Sequence, residues 1–425
     1  MSLTITRKLL ILGGNRYSLP GIQVTREAGF FTLVADRDPK APGLVAADVG
    51  LAIDLFDYES LIAAIEQYRG VDGIISTAEA GVRPAAHLSH QLGLPSITQE
   101  AAANATSKAA MRKHWAEIGK YSTDFYTVST EQEAFQAIER LGGFPLIFKP
   151  DRSFGGSRGV SRVESKDEVH QAFLFAKSRS LPDSEIVIER FVDGTEYSVE
   201  VLVWNGQTSV LCIGQNIKCP YPYRVNMSIH YPDQLSTSQR AVVDDMCYQA
   251  VTTLGLTQGT AHIEFAYTQS GPVLMELGAR CGGGHIPQIA YHVSGVNEFI
   301  EACRIACGLA PIQFLPTAKR GADYRFLIFP PGKLAEVTIP DAVISHKDIL
   351  DVGVTLQPGE EVQTLRTTSE RAGFVVTTGS DRRAAVDVAD WACHQISVTY
   401  ADDSVAYANA LRDFSESAGG DSALF

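Results

Sequence analysis

Residues 260–285 read TAHIEFAYTQSGPVLMELGARCGGGH, and the fold and chemistry of the chain turn on how they are laid out. The segments flanking Thr268-Gln269-Ser270-Gly271-Pro272 are rich in Ile, Phe, Tyr, Val, Leu and Met, while the five residues between them have turn composition. That pattern predicts two strands folding back as a hairpin centred on Ser270. Glu264 and Glu276 are then direct cross-strand partners on one face, and His262 faces Gly278. Such partners have Cβ atoms about 5 Å apart, where like charges repel. Two carboxylates so close, flanked by apolar residues, call for a cation. Hard oxygen ligands suit Mg²⁺, which keeps waters and binds phosphates as well. Arg280 lies four residues past Glu276, so period-two alternation puts it on the same face. Two carboxylates and an arginine on one face make a phosphoryl-transfer site. The alternative is a surface hairpin whose glutamates point into water.

The chain has 425 residues, enough for two to four packed units, and its hydrophobic content of 45% with 20% charged residues is that of a globular protein. A formal net charge of −13 argues against nucleic acid or an anionic membrane surface as partner. Seven scattered cysteines, an odd number, point to reduced thiols and a cytoplasmic protein. No run of about 18 apolar residues appears, and the N-terminal stretch lacks the pattern of a signal peptide.

From the N-terminus the order is strand 8–12, a Gly13-Gly14-Asn15 turn, a helical pattern through Ala28, strand 31–36, helix 58–68 and strand 73–77. This βαβ alternation predicts a parallel sheet with right-handed crossovers. Gly13-Gly14 is not a G-x-G-x-x-G fingerprint, so NAD is disfavoured. Asp36 and Glu79 fall at or just past strand ends, where such sheets bind ligands; they are substrate-site candidates or helix caps. A helical stretch at 100–118 leads to a second α/β unit: strand 145–150, helix 166–178, and strands 185–192, 196–204 and 207–215. Residues 218–232, rich in Pro and Tyr, read as a functional loop. Helix 236–254 precedes the glutamate hairpin and helix 296–307 follows it. Beyond residue 312 the chain is strand-rich with a late helix at 384–396.

Lys149 ends the apolar strand PLIFKP, immediately before a loop carrying Phe154, Gly155, Gly156, Ser157, Arg158 and Gly159. Glycines let backbone N–H groups close over phosphate oxygens, so a strand-terminal lysine beside them reads as a phosphate ligand. Glu189-Arg190-Phe191-Val192 suits an extended segment offering backbone hydrogen bonds to adenine, and Glu196 a carboxylate for ribose hydroxyls. A charged hairpin turn is the competing reading.

Together these residues resemble the ATP-grasp superfamily. The resemblance rests on Ser107-Lys108…Met111 with Gly119, FPLIFKP, SFGGSRGV, VIERFVDGTEYSVE and GTAHIEFAYTQSGPVLMELGAR, in the family's order over roughly 100–310. It implies an α/β ATP-grasp fold in three parts: a Rossmann-like pre-ATP-grasp domain (1–105), an ATP-grasp domain (106–311, with a lid subdomain at about 121–195) and a β-rich C-terminal domain (312–425). It implies ATP and Mg²⁺, with Mn²⁺ as the alternative ion. Lys108 and Lys149 would contact phosphates beneath the 154–159 loop, Glu189 through Val192 form the adenine hinge, and Glu196 take the ribose. Glu264 and Glu276 would hold the metal and Arg280 stabilise the transferred phosphoryl group.

Members of this kind join a carboxylic acid to an amine through an acyl phosphate. The layout is most similar to dipeptide-forming L-amino acid ligases. Glycinamide-ribonucleotide-synthetase-like and biotin-carboxylase-like enzymes, or a nucleotide-binding regulator without turnover, are the alternatives. A homodimer is common among such proteins. The acid is expected near Arg280 and Gly282-Gly283-Gly284-His285, and the 218–232 loop, with Lys218, Arg224, His230 and the tyrosines at 221, 223 and 231, is expected to shape the other substrate pocket. One departure stands out: the family's Glu-x-Asn-x-Arg is Glu276-Leu277-Gly278-Ala279-Arg280 here, so one metal ligand is missing. His262 or water fills that gap, or His262 touches substrate, or it is a core histidine.

Overall fold

The computed structural model describes residues 6–153, 156, 158–219 and 223–408. By compactness the chain separates into two units, one of residues up to 123 with 198–213 and 235–318, the other of 124–197, 214–234 and from 319 onward. Of the three consecutive segments expected from the sequence, 1–105 falls within the first unit, whereas 106–311 and 312–425 contribute to both.

The first unit opens with the predicted parallel sheet, in the order Val49–Leu51, Phe31–Ala35, Lys8–Leu12, Gly73–Ser76. Its central strand is apolar on both faces because helices cover both. Leu9 and Ile11 pack with Ile22, Phe299 and Cys303, while Leu10 and Leu12 pack with Leu61, Ile65 and Leu88. Strand order reverses between Lys8–Leu12 and Gly73–Ser76, so the crevice past their C-terminal ends is a topological switch point. There the Ser18 and Thr77 hydroxyls hydrogen-bond at 2.7 Å.

The hairpin Gly259–Thr268 and Gly271–Gly278 lies in the same unit, antiparallel. Its turn is the two residues Gln269-Ser270, since Thr268 pairs with Gly271. A turn centred there would pair Glu264 with Met275. A β-bulge between Glu264 and Phe265 shifts the register by one residue, so Glu264 stands opposite Glu276 and His262 opposite Gly278. The expected pairing is therefore present, and the bulge produces it. Helix Thr237–Thr253 carries a capping box, Ser236 with Gln239, and buries Val243, Met246, Cys247, Ala250 and Val251, one face of a 3.6-residue period. Helix Lys108–Glu117 is tied to the hairpin by the buried Arg112 guanidinium, which donates to the Leu274 and Met275 carbonyls at 2.8 and 3.1 Å. That bond fixes where Lys108, at the start of the helix, can reach.

The second unit contains an antiparallel sheet in the order Phe125–Val128, Ile186–Arg190, Leu146–Pro150, Ser161–Val163. Helices Glu131–Arg140 and Val169–Arg179 cover it around Val128, Ile138, Leu146, Phe148, Phe173 and Ile188. Strands Asn226–Tyr231, Gly321–Leu327, Gly373–Gly379 and Ile349–Val354 lie side by side in that order, with helix Arg382–Cys393 packed on them. Among them Arg325 is buried and bridges Asp323 and Asp390, both at 2.7 Å.

Two elements differ from expectation. Residues 218–232 are not irregular throughout, because Asn226–Tyr231 is a strand paired with 215–218 on one side and 322–325 on the other. Its sequence NMSIHY alternates polar and apolar residues, the period of a strand, although it is buried on both faces. Helix Ile286–Ser294 lies in a stretch to which the sequence reading assigned no element. Pro287 looks like a breaker, yet it stands in the first turn, where its missing N–H has no helical partner to lose. Among the described residues no helix is long and apolar enough to cross a membrane.

Candidate functional site

In the first unit the candidate site is built around the hairpin. Glu264 and Glu276 are direct cross-strand partners, with side chains 30% and 35% exposed. They are open enough to take a ligand and too close to stay unneutralised. The buried ammonium of Lys108 reaches Glu276 at 2.9 Å. The imidazole of His262 lies between two carboxylates, with Nδ1 2.5 Å from Glu200 Oε1 and Nε2 3.6 Å from Glu264 Oε1. Burial alone would lower its pKa; the charges and hydrogen bonds of Glu200 and then Glu264 outweigh burial and push it up to about 10. His262 therefore sits behind Glu264, between it and Glu200. Among the described residues no group of three or more His, Cys, Asp or Glu is arranged to hold a metal alone. An ion on Glu264 and Glu276 would have to complete its shell with phosphate and water, the habit of Mg²⁺.

Arg280 is paired with Glu79, Nε to Oε2, at 3.2 Å. Burial raises the Glu79 carboxyl above its ordinary range; Arg280 opposes the shift and the charge of Glu276 adds to it. Glu79 is therefore a site neighbour of the hairpin, whereas Asp36 is a structural group whose carboxylate accepts the Gly14 N–H at 2.8 Å. The pair also explains Gly278. A Cβ there would sit 3.2 Å from Glu79 Oε2 and 3.4 Å from Arg280 Cζ. The space an asparagine side chain would use is taken by Glu79 and Arg280.

The Gly282–His285 stretch leads straight into helix Ile286–Ser294, with His285 at the cap position, buried, and its Nδ1 3.1 Å from Gln288. Gly283 has open space where a side chain would be, and Gly284 has φ +65°. Beside them a cavity of about 360 Å³ is lined by Tyr17, Ser18, Thr77, Gly282, Tyr291 and Phe299, at the switch point of the parallel sheet. Cys281 is buried, which pushes its thiol far up; no nucleophile stands there.

In the second unit Lys149 and Glu189 are brought together by adjacent antiparallel strands, Nζ to Oε1 at 2.6 Å, both buried. Glu196 is clasped by Lys218 at 3.0 Å and by Arg224. Burial would raise the Glu196 carboxyl, but Lys218 and Arg224 outweigh it and hold it below the ordinary range. Arg224 thus stands on Glu196. His230 lies buried within the strand Asn226–Tyr231, with Asp323 at 3.4 Å and Arg382 at 3.3 Å. Burial lowers its pKa, against the pull of Asp323. Its surroundings are those of a core histidine, and the open loop position expected for it is corrected. Arg190 is half-exposed beside Asp124 at 3.4 Å. Phe191 stacks under the Arg162 guanidinium at 4.1 Å, and Val192 beside it is half-buried. Of the phosphate loop, Gly156 and Gly159 have φ +76° and +77°, conformations that favour glycine. Phe154, Gly155 and Ser157, and Tyr221 of the 218–232 loop, lie outside the described residues.

Sequence reasoning missed Glu200 and Lys218 as partners of site residues. Glu200 carried a signal, since a charge in the middle of the apolar strand EYSVEVLVW is rarely buried without a partner. Lys218 was expected to shape a substrate pocket, and its place on Glu196 had no signal in the sequence.

The sequence profile of the ATP-grasp domain matches residues 142–288. The profile of the L-amino acid ligase C-terminal domain 2 matches residues 325–401. Among curated relatives, an uncharacterized protein, y4rH, of Sinorhizobium fredii is 27% identical over 420 residues, covering 92% of this chain and 84% of the relative. Dapdiamide A synthase of Enterobacter agglomerans is 24% identical over 388 residues, covering 85% and 89%. Among solved structures, L-amino acid ligase from Bacillus licheniformis superposes with a TM-score of 0.79 at 22% identity, covering 93% of this chain and 99% of that one.

Proposed function

We propose that this chain, an ATP-grasp ligase of the carboxylate–amine type, joins the carboxyl group of one amino acid to the amine of another through an acyl phosphate. The observation that carries this reading is the cross-strand pair Glu264 and Glu276 with Lys108 on one of them and Arg280 alongside. In the reaction the acid's carboxylate oxygen attacks the γ-phosphorus of ATP, the bond to the β,γ-bridging oxygen breaks, and ADP leaves. The amine nitrogen then attacks the acyl carbon, loses a proton, and phosphate departs. Mg²⁺, or Mn²⁺ in its place, held by Glu264 and Glu276 would neutralise phosphate charge.

The remaining chemistry is positioning and charge. Lys108 and Lys149 exchange their carboxylate partners for phosphate oxygens. Arg280 neutralises the phosphoryl group in transfer. Glu79, the carboxyl with a raised pKa beside Arg280, receives the amine substrate's ammonium and its proton. The backbone amides of Gly283, Gly284 and His285, at a helix start, suit the acid's carboxylate. The adjoining cavity has room for a sizeable side chain. Glu189 through Val192 and Glu196 serve the adenine and ribose.

The test is phosphate release from Mg-ATP against the twenty amino acids, singly and in pairs, with mass detection of products. Release that requires a pair, with a dipeptide mass, is expected, and pairs supplying a bulky acid should be among the active ones. Silence over all pairs, with ATP bound by calorimetry, would overturn the reading and favour the turnover-free regulator that Gly278 suggests.

A further inference from the structure

A carboxyl pair that no step of this reaction uses lies inside the first unit. Glu298 and Glu200 are 0% and 1% exposed. Glu200 is well supplied with donors: Oε1 is 2.5 Å from His262 Nδ1 and Oε2 accepts the Gly282 N–H at 2.9 Å. Glu298 begins helix Glu298–Ala306, which is already capped by Asn297, so the helix end makes no demand on it. Neither Glu298 oxygen has a geometric hydrogen-bond partner among the described residues, and the groups nearest to hydrogen-bonding reach are the Glu200 carboxyl and the Cys281 thiol, a weak donor. Two ionised carboxylates cannot face each other out of water. A single proton between them turns two acceptors into a donor and an acceptor.

The other titratable groups around Glu298 are Arg280 and Cys281, just past the hairpin, and Cys212 on the neighbouring strand. Burial pushes both thiols far up, so neither brings charge. Arg280 is engaged by Glu79. Glu200 already accepts two hydrogen bonds, so the proton between the two carboxyls is assigned to Glu298.

We infer that Glu298 is a neutral carboxylic acid donating its proton to Glu200, and that this pair positions His262 and the Gly282–Gly284 loop at the edge of the site. The positioning half rests on the proposed ligase reading; the protonation half does not. Both outputs run through Glu200. Its contact with Gly282 is so close that a Cβ there would stand 2.8 Å from Oε1 and 2.4 Å from Ile286 Cγ2. Its contact with His262 orients the ring whose far nitrogen faces Glu264. Such outer partners of metal-binding carboxylates matter to affinity by about 10- to 100-fold.

Burial first, then the charge of Glu200, hold the Glu298 carboxyl well above its ordinary range. A group raised in the folded state gives stability that is full below its unfolded value and is lost as pH rises through the folded value. The full chain and its Glu298→Gln and Glu298→Ala variants are compared on three readouts. In the infrared, the carbonyl band of a protonated carboxylic acid at neutral pH should be present in the parent and absent from E298Q. As pH rises above the ordinary carboxyl range the parent should lose thermal stability relative to E298Q, whose amide donates to Glu200 at every pH. At neutral pH the Mg²⁺ concentration for half-maximal phosphate release should rise about tenfold in E298A and be restored in E298Q. No acid band in the parent, or parallel stability curves for parent and E298Q, overturns the shared proton. A band that disappears as expected, with Mg²⁺ dependence unchanged in E298A, overturns the positioning role alone. Absence of phosphate release in the parent would count against the ligase reading and leave the infrared and stability results to decide the proton.

Discussion

Replacing Gly278 by asparagine restores the Glu-x-Asn-x-Arg pattern of the superfamily, and the structure predicts that the restoration is harmful. If Gly278 were only a lost metal ligand, the asparagine would tighten Mg²⁺ binding. The geometry argues otherwise. The first side-chain atom alone would stand 3.2 Å from Glu79 Oε2, 3.4 Å from Arg280 Cζ and 3.5 Å from Arg280 Nη2. Gly278→Ala asks the pair to give by a few tenths of an ångström, a loss of about 0.5 to 1 kcal/mol in a charge-assisted contact, or about two- to fivefold in rate. Gly278→Asn adds an amide beyond that atom and must displace Glu79 or Arg280. Losing a hydrogen bond between charged groups costs about 1.5–3 kcal/mol, which is about 10- to 100-fold in kcat/KM. Phosphate release would be measured over a matrix of Mg²⁺ and substrate concentrations for the parent and both variants. The expected order is parent, then alanine, then asparagine, with the fall carried by kcat/KM for the amine. An asparagine variant that is as fast as the parent and needs less Mg²⁺ would refute the reasoning and return Gly278 to the role of a missing ligand.

Glu264→Gln should reduce phosphate release on the order of 100-fold while leaving stability within about 0.5 kcal/mol, because the residue is partly exposed and faces a like charge; a large drop in denaturation midpoint would instead make it a structural residue. Lys149→Met strands the buried Glu189 carboxylate and should cost about 3–5 kcal/mol, part of it recovered in K149M/E189Q; an unchanged urea midpoint for the single variant would exclude the buried ion pair. Glu196 is held below the ordinary carboxyl range, so its contribution to stability is full above that range and is lost as pH falls through its folded value. The melting-temperature advantage of the parent over Glu196→Gln should therefore shrink on acidification below about pH 4.5, and a difference that is flat or grows there would contradict the assignment.

The two periodicities made much of the fold legible. Lys8–Leu12 read as a buried parallel strand because it is apolar without alternation, and Leu9 and Ile11 do face one helical layer while Leu10 and Leu12 face the other. The glutamate hairpin was legible for a subtler reason. Centring it on Ser270 gave the observed partners, although the turn is half a residue away, and a bulge at Glu264 makes up the difference. A bulge inserts a residue into one strand without any composition that announces it. Asn226–Tyr231 and Ile286–Ser294 were hidden by the opposite effect, strong local signals with a non-local answer. Proline and tyrosine at 220–223 are a sequence signal for a loop, and the strand Asn226–Tyr231 beyond them exists because 215–218 and 322–325 flank it. Pro287 interrupts nothing because of where in its helix it falls.

The candidate site divides along the same line. Residue type is a local property, and it picked out Lys149, Glu264, Glu276 and Arg280 as groups suited to phosphoryl transfer and Glu79 as a substrate-site candidate, while the family resemblance added Lys108. Pairing is a property of register, and no spacing rule couples Lys108 to Glu276, Lys149 to Glu189, Arg224 to Glu196 or Arg280 to Glu79. The pairing changes what the charges mean. A carboxylate expected to wait for a ligand is already neutralised, and a cation expected to wait for phosphate already has a partner, so ligand binding at each becomes an exchange of one charged partner for another. Such an exchange carries a far smaller desolvation penalty than burying a solvated ion. It also makes each site sensitive to both members of its pair. The same logic runs one layer deeper at Glu298 and Glu200, where no cation is at hand and a proton takes its place.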